Sequence, residues 1–176
     1  MKISWRWVVL FLGVVILCLA MAGVLRFAQT RKRGSAEVTI NGKTVSINYG
    51  HPRLKGRNVF ALAETGDVWR LGMNQATEIT SSGDLVVGGK ELKAGKYSLW
   101  ARKTDADSWV LAFHPKTGIW GEPAMTHGFV AETPLKTEPA SDSAELLLIS
   151  LAEVNGQPQI TIHWGKASLV GSFGVK

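Results

Sequence analysis

The stretch EVTINGKTVSINY, residues 37–49, alternates apolar and polar side chains on both sides of Asn41-Gly42. Apolar residues recur at every second position, which is the period of a strand with one buried face. They are Val38, Ile40, Val45, Ile47 and Tyr49. Asn and Gly both tolerate the positive φ angles that a type I′ turn requires. The stretch therefore predicts a β-hairpin, with which an antiparallel sheet begins.

Short apolar or alternating runs continue along the chain, and glycine or proline interrupts most of the gaps between them. The predicted strands are residues 67–71, 76–80, 85–87, 97–102, 109–114, 128–132, 144–154, 159–164 and 167–170. None of these runs keeps a sustained helical period, although the composition of residues 144–154 is also compatible with a buried helix. Short strands at this spacing predict an all-β antiparallel fold, either a β-sandwich or a flattened barrel.

An apolar run of 19 residues from Trp7 to Leu25 precedes these strands, with Lys2 and Arg6 before it and Arg26 after it. At about 1.5 Å per residue, a helix of this length spans roughly 28 Å, close to the thickness of the hydrocarbon core of a bilayer. The predicted organisation is an N-terminal transmembrane signal-anchor at residues 1–28, a basic linker at 29–35 and the all-β domain at 36–176.

Two properties of this N-terminal segment have alternative interpretations. Ala20-Met21-Ala22 carries the small residues that a signal peptidase accepts, so cleavage would leave an exported soluble domain. We favour an uncleaved single-pass anchor, because the apolar run continues to Leu25. Positive charges flank both ends of the run, so they leave the orientation nearly balanced. The layout of an export signal favours a domain outside the cytoplasm, and a cytoplasmic domain is the alternative.

The net charge of +6 belongs to the N-terminal segment and not to the domain. Six of the 20 basic residues and none of the 14 acidic residues lie in residues 1–35, so residues 36–176 carry 14 of each. A domain with no net charge lacks the basic footprint of a nucleic-acid-binding protein. The single cysteine, Cys18, lies in the apolar run, so no disulfide can stabilise the domain.

Several stretches together resemble the bacterial domain-of-unknown-function family 2911, over essentially all of residues 38–170. They are Tyr49 to Arg57, Val68 to Thr77, Leu92 to Leu99, Trp120-Gly121 and Ile162 to Lys166. The chain has Gln75 where members of that family typically carry glutamate, and His114 where they often carry asparagine. The resemblance implies an exported or membrane-anchored β-domain in a bacterial envelope. It implies no activity, substrate or cofactor.

Two of these stretches hold the residues that we consider for a ligand site. The loop from His51 to Arg57 carries four ionisable donors around Pro52 and Gly56, and arginine forks suit carboxylate or phosphate. The candidate ligand-binding residues are His51, Arg53, Arg57, Trp69, Arg70 and Asn74. The structural alternative is that the arginines pair with acids at the end of the sheet. The nearest acids in sequence are Glu64, Asp67 and Glu78.

Other kinds of site lack a sequence signal. The four histidines, His51, His114, His127 and His163, lie in four different segments without metal-ligand spacing. No nucleophile motif, phosphate loop or dinucleotide fingerprint occurs. We therefore predict no metal and no cofactor, and no catalytic residue can be named.

The domain is rich in tryptophan, which serves either as core or as a stacking surface for sugars. Trp100 and Trp109 lie on neighbouring predicted strands, where they could pair across the sheet, and we favour core positions for most of the tryptophans. Trp120, between Gly118 and Gly121, is the tryptophan that we expect to be exposed.

Three classes of function fit these observations. The first is a membrane-tethered, extracytoplasmic module that binds a small anion or a glycan, and we favour it. The second is a structural or protein-interaction domain of the bacterial envelope. The third, an enzyme, lacks any catalytic signature.

Overall fold

The computed structural model describes residues 33–120 and 127–176, and they form eleven strands and one short helix. In chain order these are β1 (Arg33–Ile40), β2 (Lys43–Gly50), α1 (Val59–Leu62), β3 (Val68–Trp69), β4 (Thr77–Ser81), β5 (Leu85–Val87), β6 (Lys90–Leu92), β7 (Gly95–Lys103), β8 (Trp109–His114), β9 (Ala131–Val154), β10 (Gln157–Ser172) and β11 (Gly174–Val175).

The main sheet has eight strands in the order β1-β2-β4-β7-β8-β9-β10, with β3 beside β7, and its pairings are antiparallel. The sheet curves round so that the chain after β2 pairs with β9. The backbone N–H of Leu54 donates to the carbonyl of Glu145 at 2.7 Å, and that of Leu147 donates to the carbonyl of Pro52 at 3.1 Å. The sheet is therefore nearly closed and barrel-like. A second sheet has the order β11-β5-β6.

The fold class that the sequence predicts is confirmed as all-β and antiparallel. Asn41 and Gly42 have φ angles of 51° and 73°, and Val38 lies opposite Val45 in the predicted hairpin. Of the two predicted architectures, the structure has the barrel-like one. Residues 144–154 belong to strand β9, so the helical alternative for that run is wrong.

The core lies on the inner side of the curved sheet. The alternating residues of the strands supply it, including the fully buried side chains of Ile47, Ile79, Leu99, Leu111 and Ile162. Each side chain of this size stabilises the fold by about 1.5–3 kcal/mol when it leaves water. The barrel is thus held by packing, as expected of a domain without cysteine.

A smaller cluster lies on the other face of β7 and β8. Trp100, Ala112 and Ala76 are buried there beneath Ile119 and Phe129. The register pairs Trp100 with Ala112 and Trp109 with Lys103, so Trp100 and Trp109 do not pair across the sheet. On β7 and β8, even-numbered and odd-numbered residues point to opposite faces of the sheet. Trp100 and Trp109 therefore lie in different clusters.

His114 ends β8 beside this smaller cluster. Its Nδ1 accepts a hydrogen bond from the backbone N–H of Lys116 at 3.0 Å, and its ring meets Phe129 edge-on. Burial lowers the pKa of His114, and the charge of Lys116 acts in the same direction.

The predicted membrane segment and the first part of the linker lie outside the described residues. Strand β1 begins at Arg33, three residues before the predicted start of the domain. Residues 33–176 form one compact unit. No helix within residues 33–120 and 127–176 is long and apolar enough to cross a membrane.

Candidate functional site

A cavity of about 360 Å³ lies between the loop after β2, helix α1 and the middle of β10. Leu54, Val59 and Phe60 line it with apolar surface, and Arg57 and Lys166 line it with charge. Its lining is completed by Gly56, Asn58, Ser143, Trp164, Gly165 and Ala167. The cavity thus combines a short apolar wall with two cationic side chains.

An irregularity in β10 brings residues 164–166 to this cavity. The register against β9 shifts between His163 and Gly165 and again between Gly165 and Ala167. A bulge of this kind bends a strand and redirects its side chains. Trp164 stays buried with Ile160 and Ile162, whereas Lys166 emerges into solvent. Gly165 has a φ of 72°, a conformation that glycine adopts without strain.

Trp164 is the most buried aromatic side chain of the cavity, at 5% exposed. Its ring stacks on Trp69 with a centroid distance of 5.6 Å and an angle of 14°. Phe60 meets the edges of Trp69 and Trp109 at 6.0 and 6.1 Å. The indole Nε1 of Trp164 is buried and has no hydrogen-bond partner in the part of the chain that the structure describes. A buried donor without an acceptor costs about 1–3 kcal/mol.

The two cations of the cavity differ in how they are held. Arg57 donates from Nε to the carbonyl of Leu54 at 3.0 Å and from Nη2 to the carbonyl of Arg53 at 3.1 Å. These bonds fix the guanidinium against its own loop and leave Nη1 without a partner among the described residues. Lys166 is exposed, and its ammonium group contacts no acid within residues 33–120 and 127–176.

The charges of this cavity are all positive, which distinguishes it from two larger cavities. The cavity of about 920 Å³ beside β9 and β10 has Asp107, Lys136 and Glu138 in its lining. The cavity of about 540 Å³ beside β7 has Lys90 together with Arg102, whose guanidinium forms an ion pair with Glu132 at 2.7 Å. Of these three cavities, the smallest is the one without an acidic side chain among its lining residues.

Of the six candidate residues, Arg57 lines the cavity. Trp69 does not line it, but its ring stacks on Trp164, which does. His51 and Arg53 instead join the loop to β9. His51 Nδ1 forms a hydrogen bond with the carbonyl of Leu147 at 2.9 Å, and Arg53 forms an isolated bridge with Leu146. These contacts give both residues a structural role in closing the sheet.

Arg70 and Asn74 do not line this cavity. Both are half-buried in the segment that connects β3 to β4, and Asn74 has a φ of 64°. This segment does approach the other predicted stretch, because the backbone of Met73 lies against Gly50 at the end of β2. The two stretches therefore meet at Gly50, which does not line the cavity.

Asp67 and Glu78, two of the acids near the arginines in sequence, have contacts that do not involve Arg57. The Asp67 carboxylate accepts a hydrogen bond from the backbone N–H of Glu64 at 2.8 Å. Glu78 forms an ion pair with Lys96 at 3.5 Å and accepts from the backbone N–H of Gly118 at 2.6 Å. Arg57 is held by carbonyl groups instead, so its charge is not neutralised by an acid among the described residues.

Sequence reasoning missed Trp164, Lys166 and Phe60 as members of the site. Trp164 and Lys166 lie in the stretch Ile162 to Lys166, which supports the family resemblance. Their place in that stretch was the signal that could have indicated them. Nothing in the local pattern around Phe60 indicates that it faces β10. Among the described residues, no group of three or more His, Cys, Asp or Glu side chains could hold a metal ion.

A family model described as "Protein of unknown function (DUF2911)" matches residues 32–172. This match covers every strand of the main sheet, from Arg33 to Ser172, and it includes every residue that lines the cavity. No curated protein and no solved structure matches the chain significantly.

Proposed function

We propose a function from the chemistry of the cavity, because the chain belongs to DUF2911, a family of unknown function that supplies no activity from which to argue. The domain is a binding module for a small organic anion, held at the bacterial cell membrane by its N-terminal segment. The observation that carries this proposal is a cavity whose lining, among the described residues, has the cations Arg57 and Lys166 and no acidic side chain.

The lining matches a ligand with an acidic group on a small carbon skeleton. A carboxylate or phosphate would accept from Nη1 of Arg57 and from the ammonium group of Lys166. Each charge-assisted hydrogen bond of this kind contributes about 1.5–3 kcal/mol. The carbon skeleton would pack against Phe60, Val59 and Leu54. The fixed position of Arg57 favours binding, because its side chain loses little further freedom.

The size of the cavity limits the ligand. Its volume of about 360 Å³ lies near the lower end of the roughly 300–1,000 Å³ that is usual for small-molecule sites. A short carboxylic acid or an acid monosaccharide fits this space, whereas an extended glycan does not. Of the two ligand classes expected from the sequence, the anion is therefore favoured, and glycans enter only as single acid sugars.

One observation favours a structural or interaction domain as the second candidate. Leu146, Leu148 and Val154 are exposed on alternate positions of β9. Isolated apolar side chains on a surface are common in monomeric proteins, so they are weaker support than a cavity with matched chemistry.

The membrane tether is tested by the mass of the mature protein. The apolar run continues beyond Ala22 to Leu25, so we expect the membrane-extracted chain to begin at Met1. Intact-mass spectrometry of protein extracted from bacterial membranes measures this directly. A mature terminus at Gly23 would show that the segment is a cleaved signal peptide and would contradict the tether.

Binding is tested with a panel of short carboxylates, acid monosaccharides and inorganic phosphate. Acids that bind the folded domain are expected to raise the Tm of the full chain in detergent, because they stabilise only the folded state. Neutral amides and neutral sugars of the same size should leave Tm unchanged. Calorimetric titration of the best acid then supplies a Kd.

Two variants and a matched control connect that affinity to the cavity. We expect Arg57→Gln and Lys166→Gln each to weaken acid binding about tenfold or more, since each loses a charge-assisted hydrogen bond. Lys43→Gln removes an exposed lysine from the β1–β2 hairpin and should leave Kd unchanged. If no acid binds, or if the two cavity variants bind like the control, the proposed function is wrong.

A further inference from the structure

Trp120 is an exposed residue at one end of the sheet, on a backbone segment that is paired with Gln75. Its side chain is 66% exposed, although Trp is usually buried. Its backbone forms an isolated antiparallel bridge with Gln75, and the neighbouring Ile119 carbonyl accepts from the N–H of Ala76 at 3.0 Å. These bonds hold the backbone that carries the exposed side chain.

Arg33, the first described residue, lies at the same end of the sheet as Trp120. Arg33 donates from Nη1 to the Gln75 carbonyl at 3.2 Å and from Nη2 to the Ala76 carbonyl at 3.1 Å. It also donates to the side chain and the carbonyl of Asn48. Gln75 and Ala76 are thus contacted both by Arg33 and by the segment that carries Trp120. The entry of the chain into the domain is therefore adjacent to the exposed indole.

The predicted membrane span ends close to this entry in sequence. Seven residues, 26–32, connect Leu25 with Arg33. Eight Cα–Cα steps cover at most about 29 Å. Such a connection keeps the entry, and with it Trp120, within reach of the bilayer surface.

The chemistry of this surface fits the lipid–water interface. Tryptophan is enriched there, because its ring packs among acyl chains while its N–H stays hydrated. Lys116, four residues before Trp120, is exposed, and Arg31 and Lys32 precede the entry. Basic side chains next to a membrane are attracted to lipid phosphates.

We infer that Trp120 docks the domain onto the membrane by inserting its indole ring into the lipid headgroup region. This inference rests on the tether in the proposed function and is independent of the cavity. It gives the domain a fixed membrane-facing surface at the Arg33 end of β1.

The test uses the full chain in lipid nanodiscs of mixed zwitterionic and anionic phospholipids, with ¹⁵N-labelled tryptophan. The chain has seven tryptophans, and the Trp120 indole signal is the one that disappears in Trp120→Phe. Lipid carrying a spin label near the headgroup is then added. We expect the Trp120 signal to lose intensity about threefold or more relative to those of the buried Trp100 and Trp164, since only an interfacial ring lies near the label.

Trp5 and Trp7 provide the internal control, because they flank or begin the predicted span. If their signals broaden while Trp120 stays as sharp as Trp164, the docking surface is wrong although the tether stands. If none of these signals responds, the tether itself fails and the docking inference fails with it. Protection of Trp120 from a soluble paramagnetic agent without any response to labelled lipid would identify another protein surface as its partner and would also overturn the inference.

Discussion

Trp164→Ala is expected to lower the free energy of unfolding by about 3–5 kcal/mol, the usual cost of removing a large buried aromatic side chain. Trp164 is 5% exposed and stacks on Trp69, so alanine would leave an empty space next to the core. Neighbouring β-strands are held by backbone hydrogen bonds and cannot close that space freely. Chemical denaturation followed by circular dichroism measures the effect.

Trp164→Phe is the matched variant, because it keeps an aromatic ring and removes the indole N–H. That donor has no acceptor in the described part of the chain, so its loss returns a desolvation penalty. We expect Trp164→Phe to change stability by about 1 kcal/mol or less, since the smaller ring offsets that gain. A phenylalanine variant as unstable as the alanine variant would show that the N–H has a partner in the folded protein.

Gly88→Ala is expected to destabilise the domain by about 3 kcal/mol or more, through overpacking combined with a strained backbone. Gly88 has a φ of 54° in the turn between β5 and β6, a conformation that disfavours alanine. A Cβ at this position would also overlap the carbonyl oxygen of Glu132 in β9. That oxygen belongs to the main sheet, so it cannot move without disturbing the pairing of β8 with β9.

Gly89→Ala provides the control for Gly88→Ala. Gly89 has a similar positive φ of 81°, but a Cβ there would have no neighbour within 4 Å. Its substitution should therefore cost only about 1 kcal/mol for the backbone conformation. Thermal or denaturant melts of the two variants separate the steric effect from the conformational one. Equal destabilisation would contradict the close packing of this turn against β9.

The fold class follows from local patterns in the sequence. The Asn41-Gly42 hairpin and the strands β5 and β8 are predictable, because side-chain alternation and turn residues are properties of short segments. The closure of the barrel is not predictable in this way. It depends on residues 52–54 meeting residues 145–147, which are about 90 positions away, and no local pattern encodes that pairing.

The full lengths of β9 and β10 were not predictable from the sequence either, because the strand pattern is interrupted. Residues 128–132 and 144–154 look like separate strands, since the polar segment between them resembles a loop. In the structure, one strand of 24 residues runs from Ala131 to Val154. Strand β10 pairs with β9 along most of the length of β10. This backbone pairing overrides the weak local preference of the polar segment for a loop.

The candidate site was predictable only in part. Arg57 was a candidate because its loop is rich in arginine, proline and glycine, a composition that can suit an anion, and it lines the cavity. Trp164 and Lys166 could not be predicted, because their positions depend on the register shifts around Gly165. Arg57 and Arg70 were both candidates for one ligand site. In the structure the loop of Arg57 packs towards β10, and Arg70 does not line the cavity.

The most direct measurement for the proposed anion site is the indole NMR signal of Trp164 in the full chain, assigned by its absence from Trp164→Phe. During titration with the panel of acids, binding in the cavity is expected to shift this signal progressively. The signal of Trp100, whose Nε1 donates to Ser98 Oγ at 2.9 Å in a separate cluster, should stay in place. Neutral counterparts should move neither signal. A Trp164 signal that no acid shifts more than that of Trp100 would contradict the anion-binding cavity.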